Sequence, residues 1–268
     1  MNSNELTGQL HTKWAARSLV FLEKTPSTQD AARKACFEGA PHGALYITGN
    51  QTTGRGRMGR SWICPPDVNI AMTILLRPAV SLELAPMITL IMGLSVAEAI
   101  SGMLPPDAPG ALIKWPNDIV IDGKKVCGIL TETVTLPDGS YACLVGTGIN
   151  VHQRAFPEEL SDIAGSIYTQ TGGDIKRALL AALICDRFEI NYEEFESEGS
   201  LSPVSKRYED RLVNTGKTVK IMEASGAYEA EALGIDPENG ALFVKPADGT
   251  IRRINAGEVS VRGLYGYT

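Results

Sequence analysis

The sequence predicts an α+β protein: a mixed, largely antiparallel sheet flanked by helices, followed by a small β-barrel at the C-terminal end. Three observations predict it. Asp122-Gly123 and Asp138-Gly139 each separate apolar, β-rich runs, the pattern of consecutive hairpins. Two long segments read as helices, one near Pro86 to Met103 and one with Leu180, Ile184, Phe188, Tyr192 and Phe195 at intervals of three or four. From about Thr215 the chain breaks into short, evenly spaced strands. Consecutive hairpins make an antiparallel meander and argue against a parallel nucleotide-binding sheet.

In chain order, Val20 to Leu22 is a short apolar strand. Ser27 followed by Asp30 suits a helix start, with Asp30 to Phe37 helical. Leu45 to Thr48 and Asn69 to Leu76 are strands on either side of a loop from Gln51 to Arg60. The helix from Pro86 carries its proline in the first turn, where a missing N–H does no harm. Leu84 to Leu104 has the length of a bilayer span, but Pro86, Gly93 and Glu98 favour a buried core helix. Ile119 to Ile121, Val126 to Val134 and Tyr141 to Val145 form the meander, and Asp174 is positioned to cap the second long helix, which is expected to cover the sheet. The last strands are expected at Thr218 to Met222, Tyr228 to Leu233, Ala241 to Val244, Thr250 to Ile254 and Glu258 to Val261. The division that follows is residues 1–214 and 215–268.

The net charge of −6 disfavours nucleic acid and anionic membrane as partners, so any anion site must be local. Five scattered cysteines, Cys36, Cys64, Cys127, Cys143 and Cys185, have no C-x-x-C spacing and read as reduced thiols. The N-terminus lacks the apolar core of a signal peptide, and the expected location is cytoplasmic.

Three constellations carry chemistry. In Gly54-Arg55-Gly56-Arg57-Met58-Gly59-Arg60, glycines let backbone N–H groups turn toward an anion while three arginines supply planar forks for carboxylate and phosphate. A flexible basic surface loop is the competing reading. The segment lacks the G-K-[ST] ending of a P-loop and the strand–loop–helix context of a dinucleotide fingerprint. In Lys114-Trp115-Pro116-Asn117-Asp118, with Lys125 across the hairpin, Asp118 could hold Mg²⁺ and Lys125 could neutralise charge on a reacting phosphate. Ordinary turn chemistry with Trp115 in the core competes. Gly146-Thr147-Gly148-Ile149-Asn150-Val151 interrupts a strand end with glycines, which marks close approach of a ligand or a bulge. Three scattered histidines make no zinc site, and no G-x-S-x-G elbow is present.

Together these residues resemble the biotin–protein ligases, from about Thr25 to the C-terminus. Ser27-Thr28-Gln29 stands where that family has Ser-Thr-Asn. Gln51 precedes the G-R-G-R-x-G-R loop; K-W-P-N-D is intact; Lys125, Gly128, Ile129, Leu130 and Glu132 fit K-x-x-G-I-L-x-E; residues 146–151 fit G-x-G-I-N-V. The resemblance implies a class II synthetase-like catalytic domain with an SH3-like C-terminal barrel, and an enzyme that activates biotin as biotinyl-5′-AMP before transfer to a lysine. Ser27, Thr28, Gln29, Gln51, Arg55, Gly56, Arg57, Lys125 and Gly128 would hold biotin. Arg57, Arg60, Lys114, Asn117, Asp118 and Asn150 would seat ATP, with Asp118 toward Mg²⁺ and with Lys125 and Arg57 catalytic. The glycines of the arginine loop would make it a lid. The implied partners are biotin, ATP with Mg²⁺ and the biotin carboxyl carrier domain of a carboxylase, with homodimerisation open and neither DNA nor membrane expected. Fewer than twenty residues precede the first strand, too few for the DNA-binding winged helix of some members. Two departures stand out: Gln29 lengthens the usual Asn, and Met58 replaces an arginine found in some relatives. A lipoate ligase or octanoyl transferase, acting on a lipoyl carrier domain, is the nearest alternative, with Cys127 as the nucleophile a transferase would need. An anion- or peptide-binding module built on the terminal barrel is the non-enzymatic one.

Overall fold

The computed structural model describes residues 1–223, 226–256, 260–263 and 267–268. Helix α1 (Ser3–Thr7), strand β1 (Leu19–Phe21), helix α2 (Thr28–Phe37) and strand β2 (Ala44–Thr48) open the chain. The basic loop follows as a small hairpin of β3 (Gly54–Arg55) and β4 (Ser61–Trp62), and then come β5 (Ile70–Leu76) and α3 (Ala85–Met103). The meander is β6 (Leu112–Lys114), β7 (Asp118–Ile121), β8 (Lys124–Thr135) and β9 (Tyr141–Ile149). Helices α4 (Ile167–Thr171), α5 (Arg177–Glu198) and α6 (Ser205–Glu209) lead to β10 (Thr218–Glu223), β11 (Gly226–Ile235), β12 (Leu242–Pro246), β13 (Arg252–Ile254) and β14 (Ser260–Gly263).

Seven strands form one sheet in the order β1-β2-β5-β9-β8-β7-β6, parallel only between β1 and β2. Both predicted hairpins are present. Asp122 and Gly123 take φ of 47° and 72°, the left-handed pair that a two-residue turn between twisted strands requires. Helix α2 begins two residues earlier than expected, because Ser27 is its N-cap and accepts from the Asp30 N–H.

Helix α3 is apolar all round because it is enclosed. It has the length and composition of a membrane span, yet Ile88, Ile91, Met92 and Val96 are fully buried, with the sheet on one side and α5 on the other. Two expectations about α5 are corrected here. It packs on α3 rather than on the sheet, with Asn191 Nδ2 donating to Ser95 Oγ at 3.0 Å. Its N-cap is Lys176, which gives no side-chain cap, because Asp174 lies before the helix and faces His152 Nε2 at 3.2 Å.

The C-terminal strands pair antiparallel in the order β13-β12-β11-β10-β14, and among the described residues β13 and β14 stay at opposite ends of that sheet. Of the strand expected at Glu258 to Val261, Glu258 and Val259 lie outside the described residues. Contacts between this unit and the rest of the chain include Trp115 Nε1 donating to the Gly240 carbonyl at 3.0 Å and the Leu201 N–H donating to the Pro237 carbonyl at 2.7 Å.

The N-terminal segment is clasped by one side chain. Glu189, 5% exposed on α5, accepts from the backbone N–H groups of Lys13, Trp14 and Ala15 at 2.7–2.8 Å. Without the carboxylate three amides lose their acceptor beside an apolar core. Glu189→Ala is therefore expected to destabilise the protein by about 2–4 kcal/mol in urea denaturation, with Glu189→Gln losing less. Equal midpoints for Glu189→Ala and wild type would show that the clasp contributes nothing.

Candidate active site

The site is built on a strip of sheet that has almost no side chains. Register places Ala71 of β5 beside Gly148 of β9, and Gly148 beside Gly128 of β8, so three adjacent strands present a methyl group or bare backbone in one row. The next row is Thr73, Gly146 and Leu130. Onto this floor β4 lowers the indole of Trp62. A Cβ added at Gly148 would lie 2.4 Å from Trp62 Cε2, and one added at Gly128 would lie 3.1 Å from the same ring. Glycine is therefore needed at both positions by close approach. The indole Nε1 is buried without a hydrogen-bond partner, a donor left over for something that binds there.

A β-bulge brings Lys125 to the same face. Strict alternation along β8 would put Lys125 and Gly128 on opposite faces. Cys127 pairs with Ile119 and Lys125 with Val120, however, so Val126 is passed over and the side-chain parity resets. Val126 and Cys127 go into the core, while the Lys125 side chain folds back over Gly128, 3.1 Å from where a Cβ would stand. Lys125 Nζ sits 2.5 Å from Asp118 Oδ1 and 5.8 Å from the Trp62 ring centre.

One rim of the floor belongs to the start of α2. Gln51 Oε1 accepts from the Thr28 N–H at 2.9 Å and from its hydroxyl at 3.2 Å, and Thr73 Oγ1 donates to Thr28 Oγ1 at 2.9 Å. Gln29 reaches deeper than an asparagine would. Its Nε2 donates to the Leu130 and Leu144 carbonyls at 2.9 and 3.3 Å, over Gly146. The space enclosed between Ser27, Thr28, Gln29, Gly128 and Trp62 is small, about 50 Å³.

Beside it lies a cavity of about 620 Å³ that shares Gly56, Arg57, Trp62, Asn117 and Lys125 with it as lining. Among the described residues, Arg57, Arg60, Lys114 and Lys125 line that cavity with one carboxylate, Asp118, so four cations face one acid in a protein of net charge −6. The positive charge here is local, against the sign of the protein as a whole. Asn117 orients Arg57: its Oδ1 accepts from Arg57 Nη1 at 3.0 Å, and its Nδ2 donates to the Ile129 carbonyl at 2.9 Å. The other end of the guanidinium donates to the Ala256 carbonyl. Burial lowers the Arg57 pKa, Asp118 opposes that shift, and the group stays a cation. Phe156, Leu160 and Ile163 supply an apolar wall opposite.

The structure thus brings together Ser27, Thr28, Gln29, Gln51, Gly56, Arg57, Lys114, Asn117, Asp118, Lys125 and Gly128, drawn from stretches far apart in the chain. Arg55 borders the smaller space, but its guanidinium is held outside by Asp30 at 2.6 and 3.0 Å, a contact that lowers the Asp30 pKa. Arg60 reaches the rim and is exposed. Asn150 lines the cavity with both amide atoms engaged, accepting from Asn69 at 3.2 Å and donating to the Gly165 carbonyl at 3.0 Å. Trp115 is core, 1% exposed, as the competing reading of its motif had it. The arginine loop is a hairpin here, with the Gly56 N–H donating to the Arg60 carbonyl at 2.7 Å and Met58 at its tip, 72% exposed. Sequence reasoning missed Trp62 and Tyr267, whose hydroxyl donates to Asp118. Trp62 had a signal, an aromatic two residues beyond an arginine loop; Tyr267 had none.

Residues 21–150 match the biotin/lipoate A/B protein ligase family, and residues 215–262 match the biotin protein ligase C-terminal domain. The chain is 34% identical over 265 residues to the bifunctional ligase/repressor BirA of Bacillus spizizenii, covering 97% of this chain and 79% of that one. It is 29% identical to the biotin–[acetyl-CoA-carboxylase] ligase of Paracoccus denitrificans, covering 84% and 93%. Among solved structures, the biotin protein ligase from Aquifex aeolicus in complex with biotin and ATP superposes with a TM-score of 0.80 at 30% identity, covering 92% of this chain and 99% of that one.

The glycine floor makes a direct prediction. Gly148→Ala should leave far-UV circular dichroism unchanged but push the Trp62 indole off the sheet, raising acrylamide quenching of tryptophan fluorescence; Trp14 and Trp115 are common to both proteins. Identical quenching would mean that the indole does not rest on Gly148.

Proposed function

The chain belongs to the biotin protein ligase family, and from that premise we propose that its site joins biotin to ATP as biotinyl-5′-AMP and passes the acyl group to one lysine of a biotin carboxyl carrier domain. One observation carries the reading: a side-chain-free floor under an indole, with Lys125 at its edge, shares its wall with a cavity lined by four cations. The indole rests directly on the bare backbone, so the β3–β4 hairpin would lift and the floor would be taken over by the fused rings of the acid. Its carboxylate then points toward the cations, where a nucleotide's phosphates are held.

In the first half-reaction a biotin carboxylate oxygen attacks the α-phosphorus and pyrophosphate leaves with the electron pair of the broken P–O bond. Lys125 and Arg57 stand where that phosphate would gather charge, and fixed cations stabilise such a transition state without reorganising. Thr28 and Gln51, already bonded to each other, offer polar groups to the ring end of the acid. Phe156, Leu160 and Ile163 give the base an apolar wall. In the second half the carrier lysine, as the free amine, attacks the acyl carbon and AMP leaves. The Trp62–Lys125–Arg57 roof would keep water from the anhydride until then.

Among the described residues, Asp118 is the one carboxylate lining the cavity, and no group of three or more His, Cys, Asp or Glu could cage a metal. That fits a Mg²⁺ ion arriving on the nucleotide, with phosphate oxygens as most of its ligands and Asp118 supplying one more. The ion would add neutralising charge at the phosphates. Lipoyl transfer through a cysteine is disfavoured: Cys127 is fully buried on the core face of β8, and burial pushes its thiol pKa far up.

The test is purified protein with biotin, Mg²⁺-ATP and a carrier domain, read as a mass shift of one biotinyl group; incorporation of lipoate instead of biotin would overturn the reading. Lys125→Ala should slow biotin-dependent ATP–pyrophosphate exchange by roughly 100-fold or more, as loss of one donor at a developing charge does, and unchanged exchange would remove Lys125 from the mechanism. Arg57→Gly, which also abandons Asn117 and the Ala256 carbonyl, should release the adenylate and biotinylate bystander lysines; retained selectivity for the carrier would contradict the clamp.

A further inference from the structure

The K-W-P-N-D segment gives Lys114 and Asp118 as partners on one rung of the β6–β7 pair, so their side chains stand together at the cavity wall. A residue from the far end of the chain lies across that rung. Tyr267, next to last in the sequence, lines the same cavity. Its hydroxyl donates to Asp118 Oδ2, and the Lys114 ammonium sits 3.4 Å from the centre of its ring. Asp118 Oδ1 in turn holds Lys125 Nζ at 2.5 Å. The groups therefore run in series: ammonium, aromatic face, phenol hydroxyl, carboxylate, ammonium. Lys114 is 4% exposed, and a desolvated ammonium over an aromatic face is where that contact is strongest.

Resting on the adenylation chemistry proposed above, we propose that Tyr267 is a positioning residue for the first half-reaction, setting Lys125 through Asp118 and Lys114 through its ring. Asp118 can rotate about its Cβ–Cγ bond, and the phenol fixes that rotation by engaging one oxygen, leaving the other directed at Lys125. The ring holds the Lys114 ammonium at the wall of the nucleotide cavity instead of letting it swing onto Asp118. Each carboxylate oxygen has a second lone-pair direction, so the phenol does not bar Asp118 from an incoming cation. The match to the C-terminal domain of the family ends at residue 262, so Tyr267 is a feature that the family match does not include.

The two contacts belong to different parts of one side chain and can be separated. Tyr267→Phe keeps the ring over Lys114 and removes the hydroxyl from Asp118; Tyr267→Ala removes both. In biotin-dependent ATP–pyrophosphate exchange with the full chain, Tyr267→Phe should lower kcat by about tenfold, the loss of one hydrogen bond to a charged group, and leave KM for ATP within about twofold. Tyr267→Ala should lower kcat similarly and also raise KM for ATP by about five- to tenfold, within the range of one cation–π contact. Asp118→Asn combined with Tyr267→Phe should be no slower than Asp118→Asn alone, because the phenol acts through that carboxylate. Wild-type kcat in Tyr267→Phe would overturn the proposal. So would parallel changes in kcat and KM in both variants that track a lowered melting temperature, the sign of a structural role only. Absence of exchange in the wild-type protein would instead overturn the adenylation reading on which the proposal rests.

Discussion

The structure depends on the absence of side chains at one place. Ala71, Gly148 and Gly128 form a continuous row across β5, β9 and β8, and an indole lies directly on it. A sheet face covered by ordinary residues would hold Trp62 off the backbone and fill the space its ring occupies. The neighbouring row obeys the same constraint, since Gly146 makes room for Gln29 to reach the Leu130 and Leu144 carbonyls. The longer amide that departs from the family pattern is accommodated by depth, and its hydrogen bonds go to the sheet itself.

Given that floor, the rest of the site is a problem of bringing charge to its edge without burying it unpaired. A lysine at position 125 would face the core if β8 were regular, where a lone ammonium is intolerable. The bulge at Val126 turns it over, and Asp118 on the adjacent strand receives it. Asn117, one residue earlier, holds Arg57 from the basic loop. One short turn segment therefore fixes cations that are distant in sequence, and the surplus of positive charge is left open to the cavity. An anion that enters completes an electrostatic arrangement the protein has prepared.

Much of this was legible in the sequence, and the failures have physical reasons. The hairpins announced themselves through Asp-Gly turns, and the two charged motifs, each with an ordinary loop or turn reading of its own, gained weight by occurring together. The spacing of the arginine loop cannot say which partner each guanidinium takes: Arg55 pairs with Asp30 at the start of α2, while Arg57 is held by Asn117. Asp174 looked like a cap because it precedes an amphipathic run, yet the helix starts beyond its reach. Tyr267 was invisible, because a contact across some 150 residues leaves no local pattern.

That contact bears on why the small C-terminal sheet belongs to the same protein. Trp115 sits in the middle of the site motif, faces the core, and donates to the Gly240 carbonyl of the C-terminal unit, while its neighbours Lys114 and Asp118 face the cavity and meet Tyr267. Arg57 donates to the Ala256 carbonyl. The C-terminal unit thus touches the site motif from behind and the cations of the cavity from the front. Shifting that unit by one ångström would loosen Arg57 and the Lys114–Asp118 rung together, so docking of the two sheets and the geometry of the cations are one structural variable. A positioned site of this kind needs its supports as rigid as its floor, and the seam at Trp115 supplies that rigidity from inside the core.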